Sequence, residues 1–512
     1  MLSTLLAAMA LTLQVPPPTT GVEVARELED EARAIEAREA DALRALADRL
    51  DKAGDARGSG EVRKLLPKPP SGTATRLATL PDVIEAGSGL ASVAAAGDGW
   101  PSEADAIRKP AGEAFFELAA KAAKAEPPHM ARAGMALRET LARLPDHAEA
   151  RRLMGYVPHD GGWATPFAVR QLKEGNVRHP TFGWVPEDWV VRLEVGELPA
   201  PAIRGKATEW LPAAEADRLR STWRNPWQIN TEHFEIRADV PLAEAIEFGR
   251  RLEAFHDLFF ALMADVVGEE LPLARRFRSP TLAPDANYRP HQVVYYADRD
   301  EYHERLRPVA GERVAAESLG YYDPKGPGRG SRRPAYFFRD AGGQLPVEAT
   351  LYHEVSHQLL FESAGANSYL ANTGDYWVFE GLGTYFETVE PTDDGAIEVG
   401  GLVGARLVEA VRSLGARKFL PLGDFLRQDQ AAFNRDGRIF VNYQQATALA
   451  VFLMQAERGA YREPFLDYVR DAYRGRIKRG AGRSLEDRLG MPAEEIERRF
   501  RAFYAPAVRA SG

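Results

Sequence analysis

No five residues constrain this chain more than His353-Glu354-Val355-Ser356-His357. Residues four apart share one face of an α-helix. Two imidazoles at that spacing can grip a single metal ion, with the intervening glutamate beside whatever water the ion holds. The segment therefore has to be helical for its histidines to act together. Pro346 can open that helix, and Val347, Leu351, Val355, Leu359 and Leu360 supply apolar residues near helical spacing. With ten histidines in 512 residues, chance supplies on the order of 0.01–0.02 such patterns, so the neighbouring sequence has to carry the reading further.

It does so at Glu380. A loop containing Gly365, Asn367, Asn372 and Gly374 ends the first helix, and Tyr376 to about Val389 predicts a second. Glu380 lies on that second helix, where a third ligand is needed. Two neutral imidazoles and one carboxylate leave Zn²⁺ a net positive centre with one open position. Such an ion lowers the pKa of its water to about 7 and polarises a carbonyl oxygen. The expectation is one Zn²⁺ held by His353, His357 and Glu380. Glu354, at a different angle on the helix, is the general base that later carries the proton to a leaving nitrogen.

Glu380-Gly381-Leu382-Gly383-Thr384-Tyr385-Phe386-Glu387 resembles the glutamate-bearing segment of the gluzincin metallopeptidases. In that family the third zinc ligand sits on the helix after HExxH. Compared with the aminopeptidase-N-like branch, the spacer of 22 residues between His357 and Glu380 is longer. Phe379 stands where that branch has Asn, and no Gly-x-Met-Glu-Asn segment for a substrate's free amine is present. The closer resemblance is to peptidase-MA-like domains, including a bacterial family with a Trp-x-x-Glu-Gly-Leu-x-x-Tyr-Phe-Glu segment; it covers roughly 227–504. It implies an α+β, thermolysin-like catalytic domain with a small mixed sheet and a helical lower half, acting on a peptide or protein.

The resemblance also offers Tyr443, opening a helix that runs to about Ala456, as a donor to the oxyanion. A buried tyrosine with a satisfied hydroxyl is the alternative. Tyr385 is expected to pack behind Glu380, and Glu387 to orient a ligand. The strand Ala335–Arg339 is either the edge on which an extended substrate pairs or an ordinary core strand. Further strands are expected at 233–237 and 292–296, with helices at 242–267 and 298–306. His233, His256, His291 and His303 are dispersed in sequence and read as structural or solvated.

Composition bounds the rest. A net charge of −9 offers no footprint for nucleic acid or anionic membranes. The absence of cysteine removes disulfides, a thiol nucleophile and sulfur ligation. Residues 1–20 carry an apolar run ending near Ala8-Met9-Ala10, too short to span a bilayer and suited to a secretory signal. Export to the periplasm, cell envelope or medium follows, or a cytoplasmic location if that run is only a buried helix. Residues 21–145 read as an α-helical accessory domain (21–50, 80–96, 103–125 and 129–144) with tetratricopeptide-like packing but no 34-residue repeat. A Trp-rich connecting module at 146–226 and the metallopeptidase-like domain at 227–508 complete the chain. Two other functions stay open: a non-catalytic peptidase-fold scaffold of the cell envelope, and hydrolysis of a non-peptide amide.

Overall fold

The computed structural model describes residues 21–511 apart from 86–89, 91–98, 202–207, 269–270, 283–288, 324–332, 341, 344, 365–374, 403 and 478–481. The N-terminal apolar run and the loop holding Gly365, Asn367, Asn372 and Gly374 lie outside the described residues. The fold is α+β, mainly helical, with five small sheets among the described residues.

The largest sheet positions the site. Its four strands run in the order Ala335–Phe338, His291–Tyr296, Phe234–Ala238, Trp227–Asn230. The first three are parallel, with Val293 opposite Ala335 and Phe234 opposite His291; the fourth pairs antiparallel. The alternation in Phe234-Glu235-Ile236-Arg237-Ala238 buries every second residue. The helix Leu242–Leu262 packs on this sheet, where Phe248 stacks on Tyr295 at 4.1 Å. Its expected extension to Val267 breaks at Met263, which starts a separate turn, Ala264–Val267.

The motif helix is Val347–Ser363, entered at Pro346. It is buried on several faces rather than along one stripe, at Leu351, Tyr352, His353, Val355, Ser356, His357, Gln358, Leu359 and Leu360. Gln358 ties it to the sheet, its amide donating to the carbonyls of Gln292 and Arg333 at 3.0 Å each. The following helix, Tyr376–Phe386, is almost wholly buried between the motif helix and a long helix, Ile439–Gly459.

Two segments differ from expectation. Val83–Ile84, expected within a helix over 80–96, is a strand opposite Ala164 and Trp163, and most of the rest of that span is outside the described residues. Thr75–Ala78 pairs antiparallel with Ala396–Val399, joining the N-terminal region to the C-terminal half. Gln455 fastens this junction, donating to Val399 O and Tyr385 Oη and accepting from Thr75 Oγ1. Deeper in the same interface Arg132 forms an ion pair with Glu463 at 2.8 Å and with Glu29 at 3.0 Å.

The Trp-rich stretch is a threefold repetition. The antiparallel strand pairs Val157–His159 with Gly162–Ala164, Asn176–His179 with Gly183–Pro186, and Glu197–Pro199 with Trp210–Pro212 are each followed by a short helix, beginning at Pro166, Glu187 and Ala213. Trp163, Trp184 and Trp210 occupy the second strand of each hairpin. Their partners are structural. Trp184 Nε1 donates to Asp82, and Trp189 meets Trp210 edge-on at 5.3 Å.

Candidate metal centre

The motif helix and the Tyr376–Phe386 helix bring His353, His357 and Glu380 together, all buried, with one ligand atom of each within 4.8 Å of the others. His353 Nε2 stands 3.6 Å from Glu380 Oε2. Donors about 2.1 Å from a tetrahedral ion are about 3.4 Å apart, so the spacing suits a single small cation. Neither ring nitrogen of His357 has a hydrogen-bond partner among the described residues, although the side chain is buried. An imidazole orphaned in the interior is costly unless a group other than a protein atom completes it. A metal ion is what this donor set fits.

Electrostatics agree. Burial and the neighbouring His353 push His357 well below its ordinary value, leaving a neutral ligand. Burial also opposes charge on His353, yet Glu380, Glu387 and Glu354 carry it up to about 10. That proton occupies the place of a cation among carboxylates, and a metal ion would displace it. Glu354 is pushed up to about 7 by burial, against the pull of His353 and with a further push from Glu380. Its Oε2 accepts the Tyr322 backbone N–H at 3.0 Å.

Supporting contacts explain the sequence around Glu380. Glu387 accepts from His353 Nδ1 at 2.9 Å and is itself held by Arg406 Nε at 2.7 Å, so it orients the imidazole. Glycine is required at 383: a Cβ there would lie 2.7 Å from the Cε1 and Nε2 atoms of His353. A Cβ at Gly381 would likewise lie 3.0 Å from Ala446 O on the Ile439–Gly459 helix. Phe379 stacks on His357 at 3.8 Å, nearly parallel. Tyr385 turns away from the site and is buried against Gln455.

Tyr443 lies in the second turn of the Ile439–Gly459 helix, which begins four residues earlier than expected. Its ring packs beside Arg406 and Phe433. Burial and then Glu380 push its hydroxyl well above the ordinary range, so it stays a neutral phenol. The residue missed by sequence reasoning is Tyr376, whose hydroxyl donates to Glu380 Oε1 at 2.6 Å. Its position, four residues before Glu380 on one helix, was the available signal.

The strand Ala335–Phe338 is an edge of its sheet, but Tyr321 bridges its outer side at Tyr336. The other histidines are less dispersed than their sequence positions suggest. His233 stacks on His256 at 3.7 Å, His291 lies 6.0 Å from His256, and Glu362 pairs with His291. His233, Glu253 and His256 form a second group that could hold a metal ion. Its rings lie within 15° of parallel, and His233 Nδ1 already pairs with Glu253 at 2.7 Å. A shared ion would need one ring to turn out of the stack. His303 accepts from Arg299 at 3.3 Å, half-buried and apart from both groups.

Residues 347–474 match a sequence family described as a protein of unknown function, DUF1570. The match takes in the motif helix, the Glu380 helix and the helix bearing Tyr443. No curated protein and no solved structure matches the chain.

Proposed function

We propose that this chain is a zinc-dependent hydrolase of the gluzincin kind, cleaving peptide bonds within polypeptides. One observation carries the reading: His353, His357 and Glu380 converge as a ligand set while Glu354, between the histidines, is left outside it. A purely structural metal site has no use for such a carboxylate. Zinc, when bound, supplies a Lewis acid that polarises the substrate carbonyl and makes water nucleophilic near neutral pH.

The chain's own residues do the remainder. Glu354 takes a proton from the attacking water and delivers it to the departing amine nitrogen. Glu387, braced by Arg406, keeps the His353 ring in its ligating orientation. Tyr443, protonated throughout the neutral range, is a donor for the oxyanion as the carbonyl carbon becomes tetrahedral. Tyr376 fixes the Glu380 carboxylate. With no Gly-x-Met-Glu-Asn segment to bind a free amine, internal peptide bonds suit the site better than N-terminal ones. The thermolysin-like arrangement and export by way of the N-terminal apolar run belong to the same proposal.

The test is turnover of a quenched fluorescent peptide library by zinc-loaded protein and by Glu354→Gln. The expected result is internal cleavage by the wild type and a loss of at least about a hundredfold in the variant, the range for a general acid–base group. Equal rates in the two proteins would defeat the proposal.

A further inference from the structure

The segment Gly320–Tyr322 lies along the outer edge of strand Ala335–Phe338. Tyr321 exchanges two hydrogen bonds with Tyr336, its N–H donating at 3.0 Å and its carbonyl accepting at 2.9 Å. The pairing is antiparallel. One residue on, the Tyr322 N–H donates to Glu354 at 3.0 Å. The segment therefore measures what this edge does to any chain lying on it: an extended backbone paired at Tyr336 delivers its next amide to the carboxylate between the two histidines. An amide in that place occupies the carboxylate that the hydrolase reading needs free for water and for a leaving nitrogen.

Both ends of the segment are tied down. Ser318 bonds to Tyr302 at 2.8 Å, and Asp323 pairs with Arg333 at 2.7 Å. Tyr322 is 8% exposed, its ring turned toward Phe361, one turn beyond His357 on the motif helix. Gly320 provides the closest approach. A Cβ there would meet Thr350 Cγ2 of the motif helix at 2.8 Å and Phe337 Cε1 at 3.0 Å. The segment fits the groove between edge strand and motif helix only because residue 320 has no side chain.

We propose that Gly320–Tyr322 is an internal occupant of the substrate edge, an autoinhibitory strap that an extended peptide must displace before it reaches Glu354. The Tyr321 carbonyl is engaged by the Tyr336 N–H, which keeps the strap bound as a strand rather than presented for cleavage. Because the strap competes for the site, it raises KM and leaves kcat unchanged. The inference rests on the hydrolase reading above.

The chain has no cysteine, so Tyr321→Cys with Tyr336→Cys creates a single thiol pair. Hydrogen-bonded antiparallel partners have Cα atoms about 5.5 Å apart, within the range of about 4.4–6.8 Å that a disulfide spans. Zinc-loaded full-length double variant is assayed on the same peptide library before and after reduction by a phosphine, with the wild type as reductant control. The oxidised form is expected to turn over at least about tenfold more slowly than the reduced form, since the competent population is removed. Gly320→Val, which crowds the strap out, is expected to lower KM without changing kcat. Equal rates for the oxidised and reduced double variant would overturn the strap while leaving the hydrolase reading intact. Stoichiometric zinc with no peptide turnover in any form, reduced or wild type, would overturn both.

Discussion

Replacing Gly383 by alanine sets two physical effects against each other. Within a helix, Gly→Ala is favourable by about 1 kcal/mol, because alanine loses less backbone entropy. At this position the new Cβ would stand 2.7 Å from His353 Cε1 and Nε2 and 2.9 Å from Nδ1. Carbon contacts are optimal at about 3.5–4.0 Å, so the ring has to retreat by roughly 1 Å. It cannot do so freely, since Glu387 holds Nδ1 at 2.9 Å and Arg406 holds Glu387 in turn. Overpacking of this sort costs about 1–3 kcal/mol, which equals or exceeds the propensity gain. The net expectation is an apoprotein at or below wild-type stability. Zinc affinity falls by at least about tenfold, or 1.4 kcal/mol, because a displaced imidazole no longer meets the ion. Chelator competition gives the affinity, and denaturant unfolding with and without zinc gives the stability. A variant that binds zinc as tightly as wild type and unfolds later would refute the reasoning, because propensity alone would then govern residue 383.

Glu387→Gln should leave the fold intact and weaken zinc binding by roughly 10–100-fold, since an amide cannot accept from His353 and pair with Arg406 as the carboxylate does; unchanged affinity would remove Glu387 from the centre. The Arg132–Glu463 junction predicts acid sensitivity. Burial opposes charge on Glu463, but Arg132 and then His129 hold it down to about 2, below its ordinary 4.5. A depressed carboxylate contributes stability that is present above the unfolded value and lost as pH falls toward the folded one. Roughly 3 kcal/mol should therefore disappear between about pH 5 and pH 2. Unfolding free energies of wild type and Glu463→Gln across that range check it; parallel pH profiles for the two proteins would count against the ion pair. Tyr376→Phe deletes the 2.6 Å bond to Glu380 and should weaken zinc binding by about 1.5 kcal/mol or more, the scale of a hydrogen bond to a charged group; calorimetric titration with zinc reads the difference, and wild-type affinity would show that Glu380 is fixed by other contacts.

Parts of this arrangement were legible because their physics is local. The i, i+4 spacing of His353 and His357 needs only a helix, and Glu380 lies on the next helix in a segment that resembles the gluzincin glutamate segment. Gly383 was visible as a motif letter but not as a requirement, because its reason is a ring on another helix. Tyr376 stands one turn from Glu380, a spacing readable in sequence, but a tyrosine on a buried helix is more often a packing residue. Long-range pairings left no trace. Thr75–Ala78 and Ala396–Val399 are four residues each and more than 300 apart, and their in-register Arg76 and Glu398 look like surface charges when read singly. The hairpin repetition was obscured because Trp163, Trp184 and Trp210 are spaced unevenly, 21 and then 26 residues apart. The gathering of His233, His256 and His291 required the sheet register that sets Phe234 opposite His291.

In the proposed centre His353, His357 and Glu380 hold one metal ion and Glu354 stays outside its ligands. Elemental analysis of purified protein after zinc loading and exhaustive dialysis tests it most directly, on wild type, Glu354→Gln, His357→Asn and Glu380→Gln. One zinc per chain is expected in the first two and substoichiometric zinc in the last two. Wild type without stoichiometric metal, or a Glu380→Gln protein that keeps its full complement, would contradict it.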